Sequence, residues 1–309
     1  MSLVRSALLA ASQNVWLRER AAKYRFVRRS VSRFMPGETL DDALSAAGGL
    51  KKKGIAAVLT HLGENVADKV EAQGVAEHYL EVLKRIHAQE QSTEISVKLT
   101  QLGLDLSEEL CFEHVQAIVA AERLERTVWI DMEASNYLDA TLGIYRRALR
   151  MFPNVGICLQ AYLYRTEKDI EELLRMRPAV RLVKGAYLEP PNVAIPEKSK
   201  VDENYFALAR KLLDAQIGGQ CFRAAFATHD VAMIARITEF AGQRGMAKSD
   251  VEMQMLYGIQ RAEQERLAEA GYRSGVLVAY GTYWYPWFVR RLAERPANLW
   301  FMLRNVIAR

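Results

Sequence analysis

The sequence has few cysteines. Its 309 residues include three of them, Cys111, Cys158 and Cys221. An odd number at irregular spacing forms neither a disulfide framework nor a zinc ligand set. Cys158 and Cys221 stand in or beside apolar runs, so we expect buried and unreactive side chains. A reducing cytoplasm is the expected compartment.

Long hydrophobic runs and a strong excess of one charge are also absent. No run approaches the ~18 apolar residues that span a bilayer. The chain begins with a short apolar stretch and becomes basic between Arg18 and Arg33, unlike a signal peptide. We expect a helix packed on the outside of the domain or, alternatively, a basic helix that contacts anionic lipid at the inner face of the membrane. The net charge of +5 does not indicate a nucleic-acid partner.

Short β-rich apolar runs alternate with segments whose apolar residues recur at helical spacing. The runs are 55–62, 95–101, 128–133, 155–162, 180–187, 222–229, 251–257 and 275–281. This alternation predicts an α/β protein with a parallel sheet, the (β/α)8 TIM-type barrel. An open doubly wound sheet is the alternative, but the first run is followed by LGENV rather than by GxGxxG. We predict an N-terminal helical segment at 1–45 and a catalytic barrel at 46–309.

Polar residues late in these runs are the candidate functional residues, because the carboxyl ends of the strands form the catalytic face of such barrels. They are Glu64, Lys98, Asp131, Glu133, Gln160, Arg181, Lys184, Thr228, His229, Asp230 and Gln254. For any one charged residue, a structural ion pair is the alternative. Four charged residues together favour one shared pocket: Lys98, Asp131, Arg181 and Lys184.

The composition of this set limits the chemistry. The five histidines are scattered, so we expect no metal site. A G-x-S-x-G elbow and a cysteine beside a base are both missing. A positive cluster with one carboxylate favours an anionic substrate and a cofactor that performs the chemistry. Arg290 and Arg291, at the start of the last predicted helix, offer bidentate donors to a carboxylate, with a solvated basic face as the alternative.

Several motifs resemble those of bacterial monofunctional proline dehydrogenases. In order they are ISVKLTQLGLDL (95–106), WIDME (129–133), GICLQAYLYRTEKD (156–169), RLVKGAYLEP (181–190), ATHD (227–230), EMQMLYGI (252–259) and WYPWFVRRLAERPAN (284–298). The resemblance implies a (β/α)8 barrel that binds FAD. It also implies oxidation of L-proline, a small cyclic amino acid, to Δ1-pyrroline-5-carboxylate by hydride transfer to flavin N5. Electrons would then pass to a quinone-type acceptor.

The resemblance further implies roles for individual residues. Lys98, Arg290 and Arg291 would bind the substrate carboxylate, and Tyr187 and Leu256 would pack against the substrate ring. Asp131 and Arg181 would be the catalytic residues, with Arg181 beside the reactive edge of the flavin. The residues that would line the flavin are Met132, Gln160, Arg181, Lys184, Gly185, Ala186, Thr228 and His229.

The eighth run departs from the family pattern. Leu277 stands where the family commonly has a tyrosine that shapes the substrate pocket, and Thr282 and Tyr283 replace a charged pair. In the first run, Thr60 stands where an aspartate is common. Because Leu277 removes a hydroxyl and part of the ring volume, the alternative function is a sister flavoenzyme that oxidises hydroxyproline or another cyclic amino acid. A non-catalytic binding barrel would require damage to the charged set, which is intact.

Overall fold

A computed structural model describes residues 31–89, 93–122, 126–285 and 287–289. Within this part of the chain, eight parallel strands close into a barrel in the order of the sequence. The strands are β1 Ala56–His61, β2 Thr93–Val97, β3 Val128–Ile130, β4 Val155–Gln160, β5 Ala179–Val183, β6 Arg223–Ala227, β7 Glu252–Leu256 and β8 Arg273–Tyr280. Each of the eight predicted runs overlaps one strand, so the prediction of a (β/α)8 barrel is confirmed.

Helices connect the strands and cover the outside of the barrel. They are α1 Leu40–Lys51, α2 Lys69–Ala88, α3 Glu108–Ala121, α4 Leu138–Met151, α5 Thr166–Leu174, α6 Lys198–Ile217, α7 Val231–Gln243 and α8 Arg261–Glu269. α1 precedes β1 and packs against β1 and β8. It begins at a capping box, in which the Thr39 hydroxyl accepts the Asp42 N–H and the Asp42 carboxylate accepts the Thr39 N–H.

The predicted N-terminal helical segment, 1–45, lies largely outside the described residues. α1 runs across the predicted boundary at 45/46, and the division of the chain stays a prediction. None of the helices that the structure describes is long and apolar enough to cross a membrane.

An apolar cluster joins the first and last described residues at the carboxyl end of the barrel. Val31 and Phe34 pack there with Trp284 and Phe288, beside residues that end β1 and β8. The approach is close: Gly258, in the turn after β7, has φ +77, and a Cβ on it would lie 1.6 Å from the carbonyl oxygen of Arg33. Only glycine fits this position, because the left-handed backbone and the missing side chain are both required.

Alternate residues of each strand face the helices and the barrel interior. The outward residues join the main core with the helices, and the interior holds a small cluster of Val58, Trp129, Ala179 and Ala225. Charged residues occupy the interior below and above this cluster. The polar interior therefore has two parts, one at each end of the strands.

A buried ion network fills the amino-terminal end of the barrel. Arg223, the first residue of β6, donates Nε and Nη2 to the two carboxylate oxygens of Glu252 at 2.7 and 2.8 Å, and it also binds both oxygens of Glu94. Burial alone would raise the pKa of Glu252, but the attraction of Arg223 outweighs it and holds that pKa below its usual value. In this fold, such polar contacts at the amino-terminal end serve stability rather than catalysis.

The second strand is shorter than predicted. The predicted run extends to 101, whereas β2 ends at Val97 and a 3-10 turn follows at Leu99–Leu102. Thr100 donates its N–H and its hydroxyl to the Glu133 carboxylate at 3.0 and 2.6 Å, and these bonds draw the chain away from the sheet. Lys98 is left at the carboxyl end of β2, immediately before the turn.

Candidate active site

Three charged side chains meet inside the barrel near the carboxyl ends of β2, β3 and β5. Lys98 follows β2, Asp131 follows β3, and Arg181 lies within β5. Lys98 Nζ donates to Asp131 Oδ2 at 3.2 Å, and Arg181 Nη2 donates to Asp131 Oδ1. The strand order therefore brings together three of the four charged residues that the sequence pattern assigned to one pocket.

Ser96 connects this group and was missed by the sequence reasoning. Its hydroxyl donates to Asp131 Oδ1 at 2.9 Å and accepts from Arg181 Nη2 at 2.6 Å. The side chain is fully buried. Strand alternation places Ser96 on the same face as Lys98. A small polar residue at an inward position of an apolar run could therefore have indicated its place in the site.

Asp131 holds both cations of this group, Lys98 and Arg181. Burial alone would lower the pKa of Lys98, but the carboxylates of Asp131, Glu64 and Glu133 outweigh it and raise that pKa. Burial alone would raise the pKa of Asp131, but Lys98 and Arg181 lower it below the usual range. At neutral pH the three groups carry one net positive charge, which suits an anionic ligand.

Gln160, the last residue of β4, presents an unsatisfied acceptor. Its Nε2 donates to the carbonyl oxygens of Met132 and Glu133 at 3.4 and 3.2 Å, which fixes the orientation of the amide. Its Oε1 is buried and has no hydrogen-bond partner within the described part of the chain. Because a buried polar atom without a partner costs about 1–3 kcal/mol, Oε1 is suited to accept a hydrogen bond from a ligand.

The residues after β5 and β6 form a second polar group. Lys184 Nζ binds the carboxylates of Asp202 and Asp230, the latter at 3.1 Å. The Thr228 hydroxyl accepts the Asp230 N–H at 3.2 Å. Lys184 is thus held away from Asp131, in contact with the first turns of α6 and α7. Asp230 also caps α7 by accepting the Met233 N–H.

Gly185 is required by its surroundings. It has φ +113, and a Cβ would lie 2.2 Å from the Tyr162 ring. The half-buried Ala186 and Tyr187 follow it. The backbone that would line a cofactor here is consequently shaped by glycine.

Of the remaining predicted residues, two leucines lie on neighbouring strands of the barrel and two arginines follow the described part of the chain. Leu256 ends β7, and Leu277 lies opposite it in the register of β8. The Leu256 N–H donates to His229 Nε2 at 2.9 Å, so this imidazole nitrogen is an acceptor. Arg290 and Arg291 lie outside the described residues. The last described residue before them, Val289, is buried in the apolar cluster at the barrel mouth.

Known proteins resemble this chain along almost its whole length. The family model described as proline dehydrogenase matches residues 43–304. The chain belongs to the proline dehydrogenase family. It is 39% identical to proline dehydrogenase 1 of Bacillus subtilis (strain 168) over 306 residues, 99% of both chains. It is 36% identical to the proline dehydrogenase of Deinococcus radiodurans over 281 residues, 89% of both chains.

A solved structure supports the fold of this proline dehydrogenase family member. The crystal structure of proline utilization A from Bdellovibrio bacteriovorus, inactivated by N-propargylglycine, superposes with a TM-score of 0.82 at 24% identity. It covers 94% of this chain and 36% of the longer protein. The family model and the relatives in Bacillus subtilis and Deinococcus radiodurans confirm the prediction of an enzyme of the proline dehydrogenase family.

Proposed function

We propose that the chain oxidises L-proline to Δ1-pyrroline-5-carboxylate with FAD as its bound cofactor. The observation that carries this proposal is the group Lys98–Asp131–Arg181, a net positive cluster at the catalytic end of a barrel of this family. The relatives in Bacillus subtilis and Deinococcus radiodurans are named for the same activity. FAD, when bound, would accept the hydride and so supply the redox chemistry.

The residues of the chain would bind and orient the substrate. Lys98 would donate to the carboxylate of proline, and we assign Arg290 and Arg291 the same role. Asp131 and Ser96 would hold Lys98 and Arg181 in fixed positions, so that the substrate meets preorganised donors. Leu256 and Tyr187 would pack against the apolar ring carbons. Oxidation requires the ring C–H beside nitrogen to face the cofactor. Binding of the carboxylate by these cationic side chains would fix the substrate in that orientation.

The residues after β3 to β6 fit a flavin. Gln160 Oε1 is a buried acceptor that needs a donor, and an N–H of the isoalloxazine ring would satisfy it. Met132, Gly185, Ala186, Thr228 and His229 are the further residues that we assign to this wall. Arg181 would place a positive charge beside the cofactor, which favours the reduced form of a flavin. Lys184, which is held by Asp202 and Asp230, is assigned to the same wall.

The test is spectroscopic. We expect purified protein to show flavin absorption and to bleach on anaerobic addition of L-proline. Asp131→Asn should slow this bleaching while FAD stays bound, and Lys211→Met, at an exposed ion pair, should leave it unchanged. Protein that binds no flavin, or a bound flavin that proline does not reduce, would contradict the proposal.

A second candidate substrate rests on Leu277. This side chain is half-buried on the interior face of β8 and packs against the cluster of Val58, Trp129, Ala179 and Ala225. It offers no hydroxyl to a substituted ring. We therefore compare flavin reduction by proline, 4-hydroxyproline and pipecolate, in the natural chain and in Leu277→Tyr. Preference for proline in both proteins removes hydroxyproline and other cyclic amino acids as the natural substrate.

We also propose a quinone-type electron acceptor, a cytoplasmic location, and contact of the basic N-terminal residues with the inner face of the membrane. Seven basic residues lie in the segment that begins at Arg18 and ends at Arg33, both included, and anionic lipid attracts such a segment. Sedimentation with anionic liposomes should fall when residues 1–30 are removed. Equal sedimentation of both proteins would exclude this segment as the contact.

A further inference from the structure

Trp129 occupies the middle of the barrel and touches two arginines from different levels of the interior. Its side chain is fully buried on β3. The guanidinium carbon of Arg181 lies 5.0 Å from the ring centroid, and that of Arg223 lies 5.1 Å from it. One of these arginines binds Asp131 in the candidate active site, and the other belongs to the ion network below. Trp129 is therefore one contact between the two charged groups. Gln254 is another, since its Oε1 accepts from Arg181 Nη1 at 3.5 Å and its Nε2 donates to Glu252 Oε1 at 2.7 Å.

The position of the indole ring is fixed on two sides. Nε1 donates to Glu94 Oε2 at 2.8 Å, which ties the ring to the ion network. The neighbour of Trp129 in the register of β4 is Gly156, and a Cβ on Gly156 would lie 2.6 Å from Trp129 Cε3. The next residue in that row, on β5, is Ala179. The wide ring thus lies in space that two small residues leave open.

Arg181 depends on this ring for the part of its geometry that hydrogen bonds do not control. Its Nη2 donates to Ser96 and Asp131, and its Nη1 reaches Gln254 only at 3.5 Å. These bonds lie in the plane of the guanidinium. Its faces accept no hydrogen bond, so the Trp129 ring, 5.0 Å from the guanidinium carbon, adds a restraint on tilting of the plane to the one that these bonds supply.

We propose that Trp129 is a positioning residue for Arg181, anchored by Glu94 and accommodated by Gly156. The proposal rests on the proposed function, because it assigns Arg181 to the flavin. Without the ring, Arg181 keeps its charge but loses the fixed direction in which that charge faces the cofactor. Trp129 then acts on the reaction through Arg181 without touching the substrate or FAD.

The test uses three variants and one control, all as FAD-loaded protein. Trp129→Leu removes the ring, Trp129→Phe keeps an aromatic face, and Gly156→Ala displaces the ring without changing it. Ile157→Ala is the control, because Ile157 is fully buried beside Gly156 but belongs to the outer core. The readouts are the midpoint potential of bound FAD, kcat and KM for proline, and the thermal midpoint of the same FAD-loaded protein.

We expect Trp129→Leu and Gly156→Ala to lower the ratio of reduced to oxidised flavin at a fixed potential about tenfold, a midpoint about 30 mV lower for two electrons. kcat should fall more than KM rises. Trp129→Phe keeps an aromatic face but loses the hydrogen bond to Glu94, so it should shift the potential less than Trp129→Leu does. Ile157→Ala should lower the thermal midpoint without moving the potential. If Trp129→Leu does not fold, the midpoint potentials of Gly156→Ala and Trp129→Phe decide whether the inference holds.

Unchanged potentials in Trp129→Leu and Gly156→Ala would overturn the inference, and so would an equal shift in Ile157→Ala. Both results leave the proposed function intact, because the natural chain would still be reduced by proline. Failure of the natural chain to bind FAD or to react with proline would instead remove the proposed function, and this inference with it.

Discussion

Replacing Arg223 by methionine tests how much the ion network at the amino-terminal end of the barrel contributes to stability. Methionine keeps most of the length of the side chain and removes its charge. The substitution leaves two carboxylates, Glu94 and Glu252, whose side chains are only 11% and 5% exposed. Breaking a buried pair from one side costs about 3–5 kcal/mol, because the remaining charge has lost its partner and cannot reach water.

This free energy converts into a measurable change in thermal unfolding. At about 2 °C per kcal/mol for a domain of this size, we expect the midpoint of Arg223→Met to fall by about 6–10 °C. The matched control is Arg244→Met, since Arg244 pairs with Asp214 at 3.0 Å while the two side chains are 50% and 42% exposed. That exposed pair should change the midpoint by no more than about 2 °C.

The effect should also depend on pH in a defined direction. In the natural chain the pKa of Glu252 lies below its usual value, so this carboxylate is charged and paired throughout pH 5–8. Without Arg223, burial raises the pKa of Glu252 above that of the unfolded chain, and the half-exposed Arg273, 3.6 Å away, only partly compensates. A raised pKa means that stability is lost as pH rises through it. The deficit of Arg223→Met should therefore be smallest near pH 5 and grow toward pH 8.

Calorimetry at one scan rate, on both variants and the natural chain at several pH values, measures these differences. Arg223→Met/Glu252→Gln should reduce both the deficit and its growth with pH, because one of the two unpaired carboxylates is removed. An Arg223→Met midpoint no lower than that of Arg244→Met, or a deficit constant between pH 5 and 8, would refute the reasoning.

Three further predictions concern the site and its surroundings. Lys98→Met should lower kcat/KM for proline about 100-fold, mainly by raising KM. This factor corresponds to about 3 kcal/mol, the cost of losing a hydrogen bond to a charged group. Steady-state kinetics measures the change, and an unchanged KM would contradict the assignment of Lys98 to the substrate carboxylate. Gly185→Ala should cost about 2–4 kcal/mol in thermal unfolding, since it adds a clash with Tyr162 to backbone strain, whereas Gly245→Ala, with φ +72 and open space around it, should cost less; equal losses would show that the clash is absent. The three cysteines are buried, and burial raises their thiol pKa values, so a thiol reagent at pH 8 should label none in the native protein and three after unfolding.

The barrel was predictable because its elements follow from local pattern. Eight apolar runs alternate with helical segments, and the right-handed crossover rule leaves few arrangements for them. Helix ends followed from residue type as well: Asp230 caps α7, and Gly271, at φ +89, follows α8. The predicted end of the second strand was wrong because Thr100 binds Glu133, a residue 33 positions away, and no local pattern reveals such a contact.

The candidate site was predictable in part. Lys98, Asp131 and Arg181 stand out because charged residues are rare in apolar strand runs, and parallel strands bring their carboxyl ends together. Ser96 and Trp129 are ordinary strand residues, and their contacts depend on the stagger of the barrel, which the sequence does not specify. Gln160 Oε1 is identified only in the fold: the amide N–H groups donate to carbonyl oxygens at the neighbouring strand end, and this orientation leaves Oε1 without a donor among the described residues.

The close approach of Gly258 to Arg33 limits where the chain can be shortened. Val31, Phe34 and Met35 form part of the wall around the barrel mouth, together with Trp284, Tyr285 and residues 287–289, which precede Arg290 in the sequence. A truncated protein that begins after Arg33 would lose part of that wall and expose the aromatic residues of the last segment to water. With such a protein, an effect on membrane contact would not be distinguishable from an effect on substrate binding. Deletions that address lipid alone should therefore end before Val31.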